Sequence, residues 1–194
     1  MTDHVTTIAV GGANPYEVTV GRGVLQSVDQ YIDSEAARVF LVFQPPLRTA
    51  AAALAGHISA LGREVVGFEV PDGEAGKTLV VVAEAWDLLG RAAFTRTDIV
   101  VALGGGAATD VAGFIAATWL RGVPLITVPT TLLAMVDAAI GGKTGINTDA
   151  GKNLVGSFYP PRAVVCDLDA LTSQDPAAIA SGLAEAIKCG LIAD

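Results

Sequence analysis

Residues 99–153 read IVVALGGGAATDVAGFIAATWLRGVPLITVPTTLLAMVDAAIGGKTGINTDAGKN, and this stretch decides the fold class. An apolar run from Ile99 to Leu103 leads into the glycines Gly104 to Gly106, and an amphipathic stretch follows from Ala107 to Trp119. This order predicts a strand, a tight turn and a helix. Glycine lets the backbone approach a ligand closely, and the free amides at a helix start favour an anion such as a pyrophosphate.

The rest of the chain repeats this alternation of strands and helices. Predicted strands cover Thr6–Gly11, Tyr16–Gly21, Val39–Phe43, Glu64–Val70, Ile99–Leu103, Leu125–Val128 and Ala163–Leu168, and predicted helices cover Leu47–Leu61, Leu79–Arg91, Ala107–Trp119, Leu132–Val136 and Ala177–Ile192. Continuous apolar strands of this kind are typical of a parallel sheet with helices on both faces. We therefore expect an α/β, Rossmann-like fold.

Glycine or polar residues follow three of the predicted strands directly. Strand Glu64–Val70 runs into Pro-Asp-Gly-Glu at 71–74, strand Ile99–Leu103 runs into the glycines, and strand Leu125–Val128 runs into Pro-Thr-Thr at 129–131. Ligands of open α/β sheets bind outside the carboxyl ends of the strands. The sequence therefore predicts one ligand site where these strand ends meet.

Composition argues against several classes of partner. The net charge of −8 disfavours a nucleic-acid surface, because phosphate neutralisation needs clustered Lys and Arg. No apolar run reaches the roughly 20 residues that span a bilayer, and the N-terminus lacks the features of a signal peptide. We expect the cysteines, Cys166 and Cys189, to be reduced, so that the protein is cytoplasmic with no membrane partner.

A few charged residues indicate a small anionic ligand. In an acidic protein, the cations Arg121, Lys143, Lys152 and Lys188 suggest a cleft that holds such a ligand. Lys143 and Lys152 are preceded by glycine, which a solvated lysine does not need. Asp137 follows the apolar segment LLAMV, where a carboxylate must be paired or hydrogen-bonded.

Ordinary structural explanations remain open for several of these groups. The glycine turn departs from G-x-G-x-x-G at Thr109, so packing alone would also explain it. Arg121 can complement the end of the preceding helix, and Glu74 can complement the start of the following one. Glu185 and Lys188, at i and i+3, can form a simple ion pair within one helix.

Six stretches nevertheless resemble the 3-dehydroquinate synthase family. They are GEAGK (73–77), GGGAATDVAGF (104–114), WLRGV (119–123), VPTTLLAMVDAAIGGKTGIN (128–147), GKNLVGSFYPP (151–161) and SGLAEAIKCG (181–190). The resemblance implies a lyase of the shikimate pathway that uses NAD and a divalent metal, zinc or cobalt. Its substrate would be the sugar-acid phosphate 3-deoxy-D-arabino-heptulosonate 7-phosphate, and its products 3-dehydroquinate and phosphate.

The resemblance also implies roles for individual residues. The residues it assigns to NAD are Glu74, Lys77, Gly105, Gly106, Asp110, Thr130, Thr131, Lys152, Leu171, Thr172 and Ser173. The residues it assigns to the substrate are Arg121, Asp137, Lys143, Asn153 and Lys188. Arg121 would reach the site of a neighbouring subunit in a homodimer, and Glu185 would be one ligand of the metal.

The family pattern implies two domains: residues 1–170 as the NAD-binding α/β domain, and 171–194 as the start of a helical domain that binds metal and substrate. In the family, two histidines of that helical domain complete the metal site, whereas His4 and His57 precede every motif here. We therefore expect this chain alone not to turn over substrate. The segment FQPP (43–46) departs from the family at the adenosine end of NAD.

Two other functions share part of this pattern. A metal-dependent alcohol or glycerol dehydrogenase also has a glycine-rich turn after a strand, although the lysines beside glycine favour a phosphorylated acid as substrate. A non-catalytic NAD-binding module is the second alternative.

Overall fold

The computed structural model describes residues 4–193. Its strands are β1 (Thr6–Val10), β2 (Tyr16–Gly21), β3 (Arg38–Phe43), β4 (Glu64–Glu69), β5 (Ile99–Gly104), β6 (Leu125–Pro129), β7 (Lys143–Thr148), β8 (Gly151–Phe158) and β9 (Ala163–Asp167). Its α-helices are α1 (Arg48–Ala60), α2 (Leu79–Arg91), α3 (Gly106–Thr118) and α4 (Pro176–Ala193). Short 3-10 helices cover Leu25–Tyr31, Pro45–Leu47, Gly73–Gly76, Trp119–Arg121 and Leu168–Ser173, and a π-helix covers Ala134–Ala138.

Within residues 4–193, seven strands form the main sheet in the order β1-β2-β9-β6-β5-β3-β4. Every neighbouring pair is parallel except β1 and β2, which pair antiparallel. The predicted α/β fold with a mainly parallel sheet is therefore confirmed. The boundary predicted at residue 170 stays a prediction, and residues 1–3 and 194 of the two predicted ranges lie outside the described part of the chain.

The central strand β5 explains why the sheet is buried on both faces. Val100 and Ala102 pack on one face with α2 and α3, while Val101 and Leu103 pack on the other face with α1. Successive side chains of a strand point to opposite faces, so a continuous apolar run fills both layers. Burying each such valine or leucine contributes about 1.5–3 kcal/mol.

A β-hairpin formed by β7 and β8 is absent from the sequence prediction. The strands pair antiparallel through Ile146 and Val155, and Thr148 pairs with Gly151 beside the turn. Glycines and polar residues interrupt the apolar alternation that normally identifies a strand, so the pattern did not reveal it. Gly145 is required for close pairing, because a Cβ there would lie 2.8 Å from the Val155 carbonyl oxygen. The hairpin packs on α3 and forms a layer above the sheet.

Two local predictions need correction. The three glycines do not form one turn: Gly104 ends β5 and is buried, Gly105 precedes the helix, and Gly106 is its first residue. The helix predicted at Leu132–Val136 continues as the π-helix Ala134–Ala138. No helix within residues 4–193 is both long and apolar enough to cross a membrane.

Candidate functional site

The first of two neighbouring hollows is the sheet-edge cleft, at the carboxyl ends of the central strands. Its volume is about 790 Å³. Residues that line it include Gln44, Asp72, Gly73, Leu103, Gly105, Gly106, Thr130, Thr131, Asp167, Asp169, Ser173 and Gln174. Residues after β4, β5 and β6 contribute to one wall, as predicted from the polar residues that follow these strands.

The glycines of this cleft leave the start of α3 open. A Cβ on Gly105 would lie 3.2 Å from Thr131 Cγ2, and one on Gly106 would lie 3.1 Å from Ala138 Cβ. Among the described residues, no side chain caps the first turn of α3, so its leading amides keep their donor capacity. Uncapped amides at a helix N-terminus, approached through glycine, form a binding place for a phosphate group.

Polar side chains fix the loops around the sheet-edge cleft. Gln44 of the FQPP segment is buried, and its Nε2 lies 3.5 Å from the Pro71 carbonyl oxygen. Gln174 accepts a hydrogen bond from the Leu132 amide at 3.1 Å. The sequence prediction gave no site role to Gln174, because a single glutamine before a helix carries no distinguishing pattern.

The second hollow, the hairpin hollow, lies between the start of α3, the π-helix and the β7–β8 hairpin. Its volume is about 460 Å³. Its lining residues are Asp110, Asp137, Ala138, Lys143, Thr144, Gly145, Asn153, Leu154, Gly156, Ser157 and Phe158. Lys143 Nζ lies 2.8 Å from Asp137 Oδ1, so the aspartate is paired as predicted. The Lys143 side chain is 57% exposed.

A buried lysine bridges α3 and the hairpin. Lys77 is 2% exposed, and its Nζ donates to Asp110 Oδ2 at 2.6 Å and to Asn153 Oδ1 at 2.5 Å. Burial raises the pKa of Asp110, while the hydrogen bond and charge of Lys77 oppose that rise. This contact brings together residues that the family resemblance assigns separately to cofactor and substrate.

Glu74 lies beside this bridge and is held mainly by an amide. Asn147 Nδ2 donates to Glu74 Oε2 at 2.7 Å, and this hydrogen bond is the largest cause that lowers the pKa of Glu74. Lys152 Nζ is 3.8 Å from the same oxygen, with a side chain that is 72% exposed. Lys152 therefore lies at the rim of the network and lines neither hollow.

The remaining predicted residues lie outside both hollows or at their edge. Arg121 is exposed. Its φ is 66°, and that of the preceding Leu120 is 48°, so both residues have a left-handed backbone conformation. Lys188 forms an ion pair with Glu185, as the ordinary structural explanation predicted. That contact is the largest cause that raises the pKa of Lys188.

The segment Leu171–Ser173 lies in the last 3-10 helix. Leu171 is half-buried and packs in a cluster with Val164, Thr172 Oγ1 donates to the Asp169 carbonyl oxygen at 2.7 Å, and Ser173 lines the sheet-edge cleft. Leu171 and Thr172 are thus engaged within the chain.

A complete metal site is not formed by the described residues. No group of three or more His, Cys, Asp or Glu side chains within residues 4–193 could hold a metal ion. Glu185 offers one carboxylate, and a catalytic zinc site normally uses three protein ligands.

A family model and curated relatives agree on one family. The family model described as 3-dehydroquinate synthase N-terminal matches residues 67–181. The 3-dehydroquinate synthase of Corynebacterium efficiens is 56% identical over 98% of this chain and 54% of its own length. The chain thus spans about half the length of this curated relative.

Solved structures of related enzymes share the fold. A 2-deoxy-scyllo-inosose synthase complexed with carbaglucose-6-phosphate, NAD+ and Co2+ has a TM-score of 0.87 and 32% identity, over 94% of this chain and 50% of that one. A 2-epi-5-epi-valiolone synthase from Streptomyces hygroscopicus, with NAD+ and Zn2+ bound, has a TM-score of 0.80 and 28% identity, over 91% and 49%.

Proposed function

Because the chain belongs to the 3-dehydroquinate synthase family, we propose that it carries the NAD-binding domain of an enzyme with that activity. Residues 1–170 form this domain, and 171–194 begin the helical domain that binds metal and substrate. The reaction is that of a carbon–oxygen lyase: phosphate is eliminated from 3-deoxy-D-arabino-heptulosonate 7-phosphate and the product closes to 3-dehydroquinate. The observation that carries the proposal is that the start of α3 serves both hollows: Gly105 and Gly106 line the sheet-edge cleft, while Asp110, bonded to the buried Lys77, lines the hairpin hollow.

NAD fits the sheet-edge cleft by shape and by donor chemistry. The uncapped start of α3 beside Gly105 and Gly106 would take the pyrophosphate, with Thr130 and Thr131 on the adjoining wall. Relatives solved with NAD+ support this choice. The full set of residues proposed for the cofactor is Glu74, Lys77, Gly105, Gly106, Asp110, Thr130, Thr131, Lys152, Leu171, Thr172 and Ser173.

The hairpin hollow is proposed to hold the substrate. The Lys143 ammonium would pair with an anionic group of the sugar acid, and its exposed position leaves this pairing open. Asn153 and Asp137 would hydrogen-bond substrate hydroxyl groups. When NAD is bound, it supplies a hydride acceptor that converts a hydroxyl into a ketone and so acidifies the neighbouring C–H. The chain's own contribution is to orient the substrate and neutralise its charge.

Three further assignments belong to this proposal. Glu185 is one ligand of the zinc or cobalt ion, and Lys188 contacts the substrate from the same helix. Arg121 acts in the site of a second subunit, so the enzyme is a homodimer; its exposure and its position outside the lining of both hollows support this. The protein works in the cytoplasm.

The test is NAD binding measured by calorimetry on this chain. The wild type is expected to bind NAD at one site, and Gly105→Ala to weaken it about tenfold, because the added methyl narrows the approach to the α3 amides. Gly56→Ala is the matched control, since Gly56 lies in α1 with nothing within 4 Å of an added Cβ. A wild-type chain that binds no NAD, or a Gly105→Ala variant that binds it equally well, would overturn the proposal.

A further inference from the structure

Asn147 makes three hydrogen bonds that tie three segments of the site together. Its backbone amide donates to the Lys77 carbonyl oxygen at 2.8 Å. Its side-chain Nδ2 donates to Glu74 Oε2 at 2.7 Å, and its side-chain Oδ1 accepts from the Asn153 amide at 3.0 Å. Both ends of the side-chain amide are used, so the position needs one donor and one acceptor of this size.

The contact to Asn153 fixes the backbone amide of a residue with an uncommon conformation. Asn153 has a φ of 56°, in the left-handed region that few residues with a side chain other than Asn and Asp adopt. In this conformation its Oδ1 accepts from Lys77 Nζ, which also bonds Asp110. Asn147 therefore closes a ring of contacts through Glu74, Lys77 and Asn153.

We propose that Asn147 is a positioning residue, which fixes the carboxylate of Glu74, on the cofactor side of the site, relative to the backbone amide of Asn153, on the substrate side. This inference rests on the proposed function, which assigns Glu74 to NAD and Asn153 to the substrate. Asn147 itself lines neither hollow, so it acts through its two partners. Loss of its donor would release Glu74, and loss of its acceptor would release Asn153.

The experiment exchanges the donor and the acceptor of the Asn147–Glu74 contact. Asn147→Asp places two carboxylates in contact, which should weaken NAD binding about tenfold at neutral pH. Glu74→Gln alone keeps an acceptor oxygen for Asn147 and defines the effect of losing the charge. In the double variant, the introduced glutamine donates to the introduced aspartate, whose other oxygen still accepts from the Asn153 amide. NAD affinity should then return to the level of Glu74→Gln.

Two further readouts separate positioning from a general loss of stability. The defect of Asn147→Asp should shrink as the pH falls towards about 5, because protonation of one carboxyl restores a donor. Asn147→Leu removes the acceptor, so the Asn153 amide should exchange with solvent at least about tenfold faster than in the wild type, while the amides of the buried strand β5 keep their rates. Asn14→Asp, in the turn between β1 and β2, is the control for added negative charge and should change neither quantity.

The outcomes distinguish the two claims. A wild-type chain without NAD affinity overturns the proposed function. NAD binding that is equal in the wild type and Asn147→Asp overturns only the inference, as would a double variant whose loss is the sum of the single losses. Unchanged exchange of the Asn153 amide in Asn147→Leu would overturn it as well.

Discussion

The two hollows are lined by different kinds of residue, although both include residues from the start of α3. The sheet-edge cleft is walled largely by backbone and small side chains above a sheet buried on both faces. The hairpin hollow is lined by Asp110 and by the ion pair of Asp137 with Lys143, against a two-stranded layer whose Phe158 and Leu154 are exposed at the rim. A ligand of the sheet-edge cleft would meet backbone amides, whose position depends on the packing of the sheet and α3. The exposed charges of the hairpin hollow, in contrast, add little to the stability of the fold. The two hollows should therefore respond differently to substitution.

The largest effect is expected where the hairpin layer joins the π-helix. Gly142 has a φ of 74°, and an added Cβ would lie 2.5 Å from the Pro160 nitrogen. Gly142→Ala should lower the free energy of unfolding by about 3 kcal/mol, from left-handed strain and overpacking together. Urea unfolding followed by circular dichroism would measure it.

Gly141→Ala is the matched control for Gly142→Ala. Gly141 has a φ of 82° but nothing within 4 Å of an added Cβ, so it carries the strain without the overlap. Its cost should be about 1 kcal/mol. Equal losses in the two variants would show that Gly142 does not lie against Pro160.

The next largest effect concerns Lys77, the buried lysine that bridges α3 and the hairpin. Lys77→Met leaves Asp110 Oδ2 and Asn153 Oδ1 without their charged donor. The loss should be about 2 kcal/mol at neutral pH, since hydrogen bonds to charged groups carry about 1.5–3 kcal/mol each and Asp110 keeps some access to water. Lys152→Met, at a side chain that is 72% exposed, should cost under about 0.5 kcal/mol.

The Lys77→Met loss should also depend on pH. Burial raises the pKa of Asp110 and Lys77 opposes the rise, so in the variant that pKa moves further up. A carboxyl whose folded pKa is raised stabilises the fold below its unfolded pKa and loses that contribution as the pH rises through the folded pKa. The deficit should therefore be smaller near pH 4 than at about pH 7. A deficit that grows on acidification would contradict the described burial of Asp110.

The contrast between the hollows also separates what the sequence could predict from what it could not. Apolar continuity in strands such as Ile99–Leu103 reflects burial on both faces, so the sheet and the meeting of strand ends were predictable. Gly105 and Gly106 of the glycine motif line the sheet-edge cleft, and their contact with a cofactor stays a prediction. The pairing of Asp137 was also predictable, because an aspartate in an apolar segment needs a partner.

The hairpin was not predictable in the same way. Its stability comes from close approach at Gly145 and from packing on α3, neither of which leaves an alternating pattern in the sequence. The bridge from Lys77 to Asn153 joins residues 76 positions apart, and its geometry depends on the positive φ of Asn153. Such contacts are set by tertiary structure and follow from no local rule.

The smallest effect on stability is expected at Lys143, in the hairpin hollow. Its ion pair with Asp137 has both side chains at least one-third exposed, at 57% and 36%, so solvent screens the attraction. Lys143→Met should change the free energy of unfolding by under about 0.5 kcal/mol and leave NAD binding in the sheet-edge cleft unaltered. Affinity for 3-deoxy-D-arabino-heptulosonate 7-phosphate, measured by calorimetry with NAD present, should instead fall at least about tenfold, because a charge-assisted contact is lost. A variant with a lower free energy of unfolding but unchanged affinity for the sugar phosphate would contradict the assignment of Lys143 to the substrate. Lys143 would then support the fold, and another group would bind the anion.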